Sequence, residues 1–213
     1  MTTLYITRHG ETLWNTERRM QGHKDSELSE LGLQQARWLQ ERLTVIPLDA
    51  VYSSPCLRAV RTAEIVCNSR EIEIAREQGL IEIGLGVWEG RNIDAVARLY
   101  PQQSADFWNA PTRFQPTEGG ETFRQVQNRV VQAVEEIVQK HPIQNVLLVS
   151  HAVVLKTLMA FIEQILLDEY WQRPFLTQAS LSVVKACNGS FRIVLANDTS
   201  HHDFIRNRNV NTW

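Results

Sequence analysis

The segment Asn145-Val146-Leu147-Leu148-Val149-Ser150 is an almost continuous apolar run of strand length. A strand with one wet face alternates apolar and polar residues, so a strand apolar on both faces must be covered on both, as in the centre of a parallel sheet. Leu4-Tyr5-Ile6-Thr7 and Ala50-Val51-Tyr52-Ser53 are two further short β-rich runs. Between these runs the apolar spacing turns helical. Ser29 reads as an N-cap ahead of Ala36, Leu39 and Leu43, and after Pro55 the stretch Leu57–Cys67 puts Ala59, Ala63 and Val66 on one face. Thr122 to Gln139 predicts a helix buried through Val126, Val130, Val134 and Ile137, and Leu155 to Leu166 predicts another. A weaker strand is expected from Ile72 to Ala75. Ser180–Lys185 and Phe191–Leu195 flank Asn188-Gly189, a hairpin signal. Strands alternating with helices imply an α/β three-layer sandwich: a mostly parallel central sheet, helices on both faces and a C-terminal antiparallel hairpin. No repeat, low-complexity tract or linker interrupts the pattern, so residues 1–213 are expected to form a single domain.

Composition narrows the function classes. The formal net charge is −2 over 213 residues, which gives no overall attraction for nucleic acid or a membrane surface. An anionic ligand would have to be met by a local cluster of cations. The three cysteines, Cys56, Cys67 and Cys187, form no CxxC pair and no disulfide framework, and the N-terminal sequence has no basic segment leading into an apolar one. The apolar stretch from Val146 to Leu158 is broken by Ser150, His151 and Lys156, well short of a membrane span. A cytoplasmic, reducing compartment is the expectation.

In open α/β sheets ligands bind beyond the carboxyl ends of the strands. His9 and His151 each follow directly on a predicted strand, and Arg58 lies just past another, so the three are expected at one sheet edge. Thr7-Arg8-His9-Gly10-Glu11-Thr12 suits phosphoryl transfer. A neutral imidazole is a nucleophile that needs no metal. A neighbouring guanidinium is a permanently charged fork for phosphate oxygens, and a glycine lets the backbone approach closely. Each residue also has a plainer reading. Arg61 matches Arg58 by charge, Glu77 and Glu89 stand near Glu82, and His151 could be a core histidine bonded to backbone. His23, His141, His201 and His202 read as surface residues, and adjacent His201-His202 lack a third metal ligand. Pro101, Pro111 and Pro116 mark a loop-rich stretch in which Phe107, Trp108 and Phe114 either pack beneath the loop or make the 107–114 loop an apolar lid over the pocket that meets the substrate's leaving group.

Arg8-His9-Gly10-Glu11-Thr12 followed by Trp14-Asn15 resembles the signature of the histidine phosphatase superfamily, the phosphoglycerate-mutase-like fold. Gln21-Gly22 with Leu28–Gly32, Ser53-Ser54-Pro55 through Leu57-Arg58-Ala59, Leu80-Ile81-Glu82 with Gly86–Gly90, and Val149-Ser150-His151 resemble its later blocks in the same order. The likeness covers most of the chain up to about Ala196 and points to the bacterial broad-specificity phosphatase branch.

The resemblance implies that His9 is the phosphorylated nucleophile and that Arg8, Arg58 and a protonated His151 hold the phosphoryl group. It also implies that Asn15 adds a polar contact, that Gln21 and Gly22 belong to the substrate site, and that Glu82 is the general acid and then base. Many relatives have Gly after the second histidine where this chain has Ala152, whose backbone N–H is kept. No metal or cofactor is implied, and the partner is a small phosphorylated metabolite; oligomeric state is silent. Phosphoglycerate mutases resembling the family carry a longer chain and a Glu-Arg-His-Tyr block where Ile83–Trp88 stands here. A non-catalytic phospho-ligand scaffold is the other alternative, although inactive relatives usually lose the nucleophile or the acid.

Overall fold

The computed structural model describes residues 1–172, 176–187 and 189–202. Six strands form one sheet: β1 (Thr2–Arg8), β2 (Ala50–Ser53), β3 (Ile74–Arg76), β4 (Asn145–Ser150), β5 (Leu181–Cys187) and β6 (Ser190–Asp198), in the order β3-β2-β4-β1-β5-β6. The first four run parallel, and β5 and β6 add an antiparallel pair. The apolar run singled out in the sequence is central β4, with five consecutive buried residues.

Among the described residues seven α-helices accompany the sheet: α1 (Leu13–Thr16), α2 (Glu30–Leu43), α3 (Leu57–Cys67), α4 (Ile93–Leu99), α5 (Pro101–Asn109), α6 (Phe123–Lys140) and α7 (Ala152–Ile162). Alternation along the strands separates two cores. Leu4, Ile6, Val146 and Leu148 pack on one face with residues of α6 and α7, while Leu147, Val149 and Val51 pack on the other with Leu39, Ala59 and Ala63 of α2 and α3. Ser29 caps α2 through the Gly32 N–H, and Thr122 with Gln125 forms a capping box on α6.

Several expectations need correction. The stretch read as loop-rich around Pro101 carries α4 and α5. Pro101 sits in the first turn of α5, where its missing N–H costs nothing, so it starts a helix. Helix α7 begins at Ala152 and ends at Ile162, several residues earlier than the spacing suggested, because Ser150 and His151 end the strand and the chain turns helical at once. Strand β3 begins two residues later than expected and ends one later. His202 is buried on Trp38 and His141 is half-buried against the Tyr52 hydroxyl, so neither is a surface residue. In the hairpin, Gly189 takes the left-handed φ of +76° such a turn needs, while Asn188 lies outside the described residues. Among the described residues no helix is long and apolar enough to cross a membrane.

Candidate active site

The register of the parallel strands builds the site. Arg8 on β1 pairs with Ser150 on β4, so His9 and His151, each one residue further on, leave the sheet side by side. The His9 N–H donates to the Ser150 carbonyl (3.0 Å), and the two imidazoles lie 5.2 Å apart between centroids. Strand β2 ends in the same row: the Ser54 N–H donates to the Val149 carbonyl (2.9 Å), and Ser54 Oγ lies 2.6 Å from His151 Nε2. Helix α3 then starts and brings Arg58 underneath.

A cavity lies beyond the carboxyl ends of β1, β2 and β4. Arg8, His9, Asn15, Gln21, Gly22, Arg58 and Glu82 all face it, with Val153 from α7. His151 is fully buried behind His9, and Ala152 is buried in the first turn of α7 outside the cavity lining, a place that Val153 takes. Arg8 Nη1 donates to the Leu176 carbonyl (2.9 Å). Arg58, 1% exposed, donates to the carbonyls of Gly22 (2.7 Å) and Lys24 (2.9 Å) and pairs with Asp25 (2.7 Å), while its Nε is buried with no hydrogen-bond partner among the described residues. The rival Arg61 is exposed and pairs with Glu64. Asn15 Oδ1 accepts from Thr12, which leaves its NH2 end for the cavity.

Glu82 is buried, at 8% exposure, and its carboxylate sits at the N-terminus of α7. Oε1 accepts from the N–H groups of Ile83 (2.9 Å) and Val154 (3.4 Å), and Oε2 from Val153 (3.3 Å). The unpaired N–H groups of a helix's first turn are a ready seat for a carboxyl group. Glu77 instead caps the turn at Gly79, and Glu89 accepts from the backbone of His23, Lys24 and Leu85.

Two glycines owe their places to close packing. A Cβ on Gly10 would lie 2.5 Å from the Gly32 carbonyl oxygen, so this glycine serves the approach of α2 to the strand end, a reason different from the close contact with phosphate expected of it. Gly22 has φ +58°, and a Cβ there would strike the Glu89 carboxylate at 2.2 Å.

Burial and the nearby guanidinium groups of Arg58 and Arg8 hold His9 well below the ordinary imidazole pKa, so it is neutral. Its Nδ1 is 2.7 Å from the Gly10 carbonyl, an obligate acceptor; the proton therefore sits on Nδ1, and the lone pair on Nε2 is free. Burial, then Arg58, His9 and Arg8, likewise push His151 well down. Without a bound phosphoryl group the charged form of His151 is thus disfavoured by burial and by these cations. Burial lowers Arg8 to about 10, which still leaves it charged at neutral pH.

The residues that brace this constellation were not found in the sequence. Arg129 on α6 donates to the carbonyls of Gly79 (3.0 Å) and Glu82 (3.1 Å) and pairs with Glu121. Burial works against the charge on Glu121, but hydrogen bonds with His23, Arg129 and the Gly84 N–H outweigh it and hold this carboxylate at about 2. Ser150 Oγ adds a bond to the Leu80 carbonyl (2.7 Å). One signal was available: Arg129 is the one charge within the Val126–Val134 segment of an otherwise regular amphipathic helix. Trp171, on the cavity wall through its bond to the Phe107 carbonyl (2.6 Å), carried no such signal.

Two adjacent imidazoles, two buried arginines and one buried carboxyl group at a strand-end cavity fit phosphate-ester chemistry. The family model of the histidine phosphatase superfamily (branch 1) matches residues 4–199. The chain belongs to the histidine phosphatase superfamily. As a histidine phosphatase it is a phosphoric monoester hydrolase. It is 34% identical over 171 residues to phosphoserine phosphatase 1 of Hydrogenobacter thermophilus, covering 80% of this chain and 81% of that one. The fold is similar to that of YhfR from Bacillus stearothermophilus, with a TM-score of 0.92, 45% identity and coverage of 94% and 99% of the two chains. It is also similar to a mycobacterial glucosyl-3-phosphoglycerate phosphatase solved with VO3, with a TM-score of 0.84, 27% identity and coverage of 92% and 99%.

Proposed function

We propose that this histidine phosphatase hydrolyses small phosphorylated metabolites through a phosphohistidine on His9, with Glu82 as general acid and then base, and without a metal. The observation that supports it most is the orientation of His9. Its proton is fixed on Nδ1 by Gly10, so the nucleophilic Nε2 belongs to a cavity shared with Arg8, Arg58 and Glu82.

In the first step the Nε2 lone pair attacks phosphorus, the ester P–O bond breaks, and Glu82 protonates the departing alkoxide. In the second, Glu82 takes a proton from water, the oxygen attacks phosphorus, and the N–P bond breaks to restore His9. Charge on the equatorial oxygens is met by Arg8 and Arg58, with the Asn15 amide as a further donor. The protein's task is placement and charge balance.

The outer wall of the cavity bears on the substrate. Met20, Ile93, Trp108 and Trp171 line it, and at its rim Arg18 is already paired with Asp94 and Arg19 with Glu17. A wall of apolar and aromatic side chains favours esters with an apolar or aromatic alcohol over small polyanions. The relatives' substrates, phosphoserine and glucosyl-3-phosphoglycerate, have different leaving groups, in keeping with a shared phosphoryl site and a variable wall. The remaining parts of this reading are a single domain over residues 1–213 and a cytoplasmic location, where the buried thiols of Cys56 and Cys67 stay reduced.

Turnover of p-nitrophenyl phosphate in excess chelator tests the proposal. The wild type is expected to keep its full rate, His9→Ala to lose about 10⁴-fold and Glu82→Gln about 10²–10³-fold with a poorly activated alcohol. Loss of activity on chelation, or turnover surviving His9→Ala, refutes it.

A further inference from the structure

Every hydrogen bond of the Ser54 hydroxyl can be accounted for. Ser54 is fully buried at the end of β2. Its Oγ accepts from the Cys56 N–H (3.3 Å), and the other partner of that oxygen is His151 Nε2 at 2.6 Å. A hydroxyl has one proton to give. The Cys56 N–H can only donate, so among the described residues the partner able to accept the hydroxyl proton is the His151 ring nitrogen. Nε2 is then the acceptor, and the imidazole proton resides on Nδ1. That Nδ1 is buried and has no hydrogen-bond partner among the described residues, although the ring is packed against His9. A buried donor left unmade costs free energy unless something arrives to accept from it.

We infer that Ser54 is a positioning residue: by donating to Nε2 it locks His151 as the neutral Nδ1–H tautomer, so that His151 presents a preset donor to an oxygen of the phosphoryl group beside His9. The inference rests on the phosphoryl-transfer reading of the site and deepens it. It replaces a second imidazolium by a neutral donor that adds no positive charge next to the nucleophile. Ser54 touches neither the substrate nor the reacting atoms and acts through His151. The two imidazoles then carry the same tautomer for complementary ends. Gly10 takes the Nδ1 proton of His9 so that its Nε2 can attack, and Ser54 occupies Nε2 of His151 so that its Nδ1–H can donate.

The test is nitrogen-15 NMR of the imidazoles in the intact ligand-free enzyme at pH 7.5, with the His151 signals assigned by their loss in His151→Gln. The expected wild-type pattern has a protonated Nδ1 and an unprotonated, hydrogen-bonded Nε2. A protonated Nε2, or an imidazolium, overturns the inference with no variant required. In Ser54→Ala the Nε2 resonance is expected to move toward that of a free, unbonded nitrogen. The dissociation constant for vanadate and KM are expected to rise about tenfold, the effect of one lost hydrogen bond. Ser54→Thr, which keeps the hydroxyl, should restore the wild-type nitrogen pattern, whereas a role in packing alone would leave the nitrogen shifts unchanged in Ser54→Ala and so contradict the assignment. Failure to find phosphate on His9, with the nitrogen pattern and the vanadate effect as expected, would reject the covalent mechanism and support the Ser54 assignment.

Discussion

Burial and two guanidinium groups lower the basicity of His9, and the same surroundings act on His151. For the nucleophile proposed here this is useful, because the lone pair stays available in acid that would protonate an ordinary imidazole. The acid limb of kcat/KM is therefore expected well below 6.5, measured with one substrate across pH 4.5–8; a limb centred at 6.5 or above contradicts the electrostatics described. Arg58 is the cation most committed to its place, being held by Gly22, Lys24 and Asp25. Arg58→Ala should lower kcat/KM by at least about 10²-fold, while Arg61→Ala on the exposed side of α3 should change it less than twofold. The sequence distinguished these two arginines through family resemblance alone. Charge and spacing could not, since the difference between them is which loop their helix faces.

Elements place these side chains, and some of that placement was readable in advance. The continuous apolar run of β4 announced a central strand, and the residue after it landed at the active edge as the strand-end rule requires. The register Arg8 to Ser150, which sets the two histidines side by side, is a long-range fact that no local pattern carries. The same limit hid Arg129, whose partners lie near residues 80 and 121. Arg129→Met should keep the fold but displace Glu82, lowering kcat about 10–100-fold with KM little changed; an unchanged kcat would show that Glu82 is placed without it. The stretch from α5 to Phe114 illustrates a different failure. Prolines and aromatics suggested a loop, yet Phe107 is 1% exposed within a cluster of Trp88, Phe114 and Phe123, and it lines the cavity together with its half-buried neighbours Trp108 and Trp171. Phe107→Ala is expected to destabilise the protein by about 3–5 kcal/mol in denaturant unfolding. Trp108→Ala should instead reduce kcat/KM for an aromatic ester about tenfold relative to glycerol phosphate, and equal losses on both substrates would remove the selectivity assigned to this wall.

For the whole molecule, three buried histidines make stability depend on pH. His9 and His151 lie well below the usual value and burial brings His202 down to about 4. The unfolded chain takes up protons at about 6.5 while the folded chain does not, so stability is complete above that pH and is lost as pH falls below it, at up to ~1.4 kcal/mol per pH unit for each group. His23, raised by its bond to Glu121, acts in the opposite sense but is partly exposed and weakened by solvent. The urea midpoint should fall steadily from pH 6.5 to 5, and a flat profile would mean that these imidazoles are not buried as neutral bases. What ties stability, electrostatics and fold together is a free Nε2 on His9. Mixing the enzyme with a phosphorus-32-labelled monoester and quenching within milliseconds in alkali should trap an acid-labile, base-stable label that maps to His9. A label on another residue, or steady turnover with no label at any time, would contradict the account.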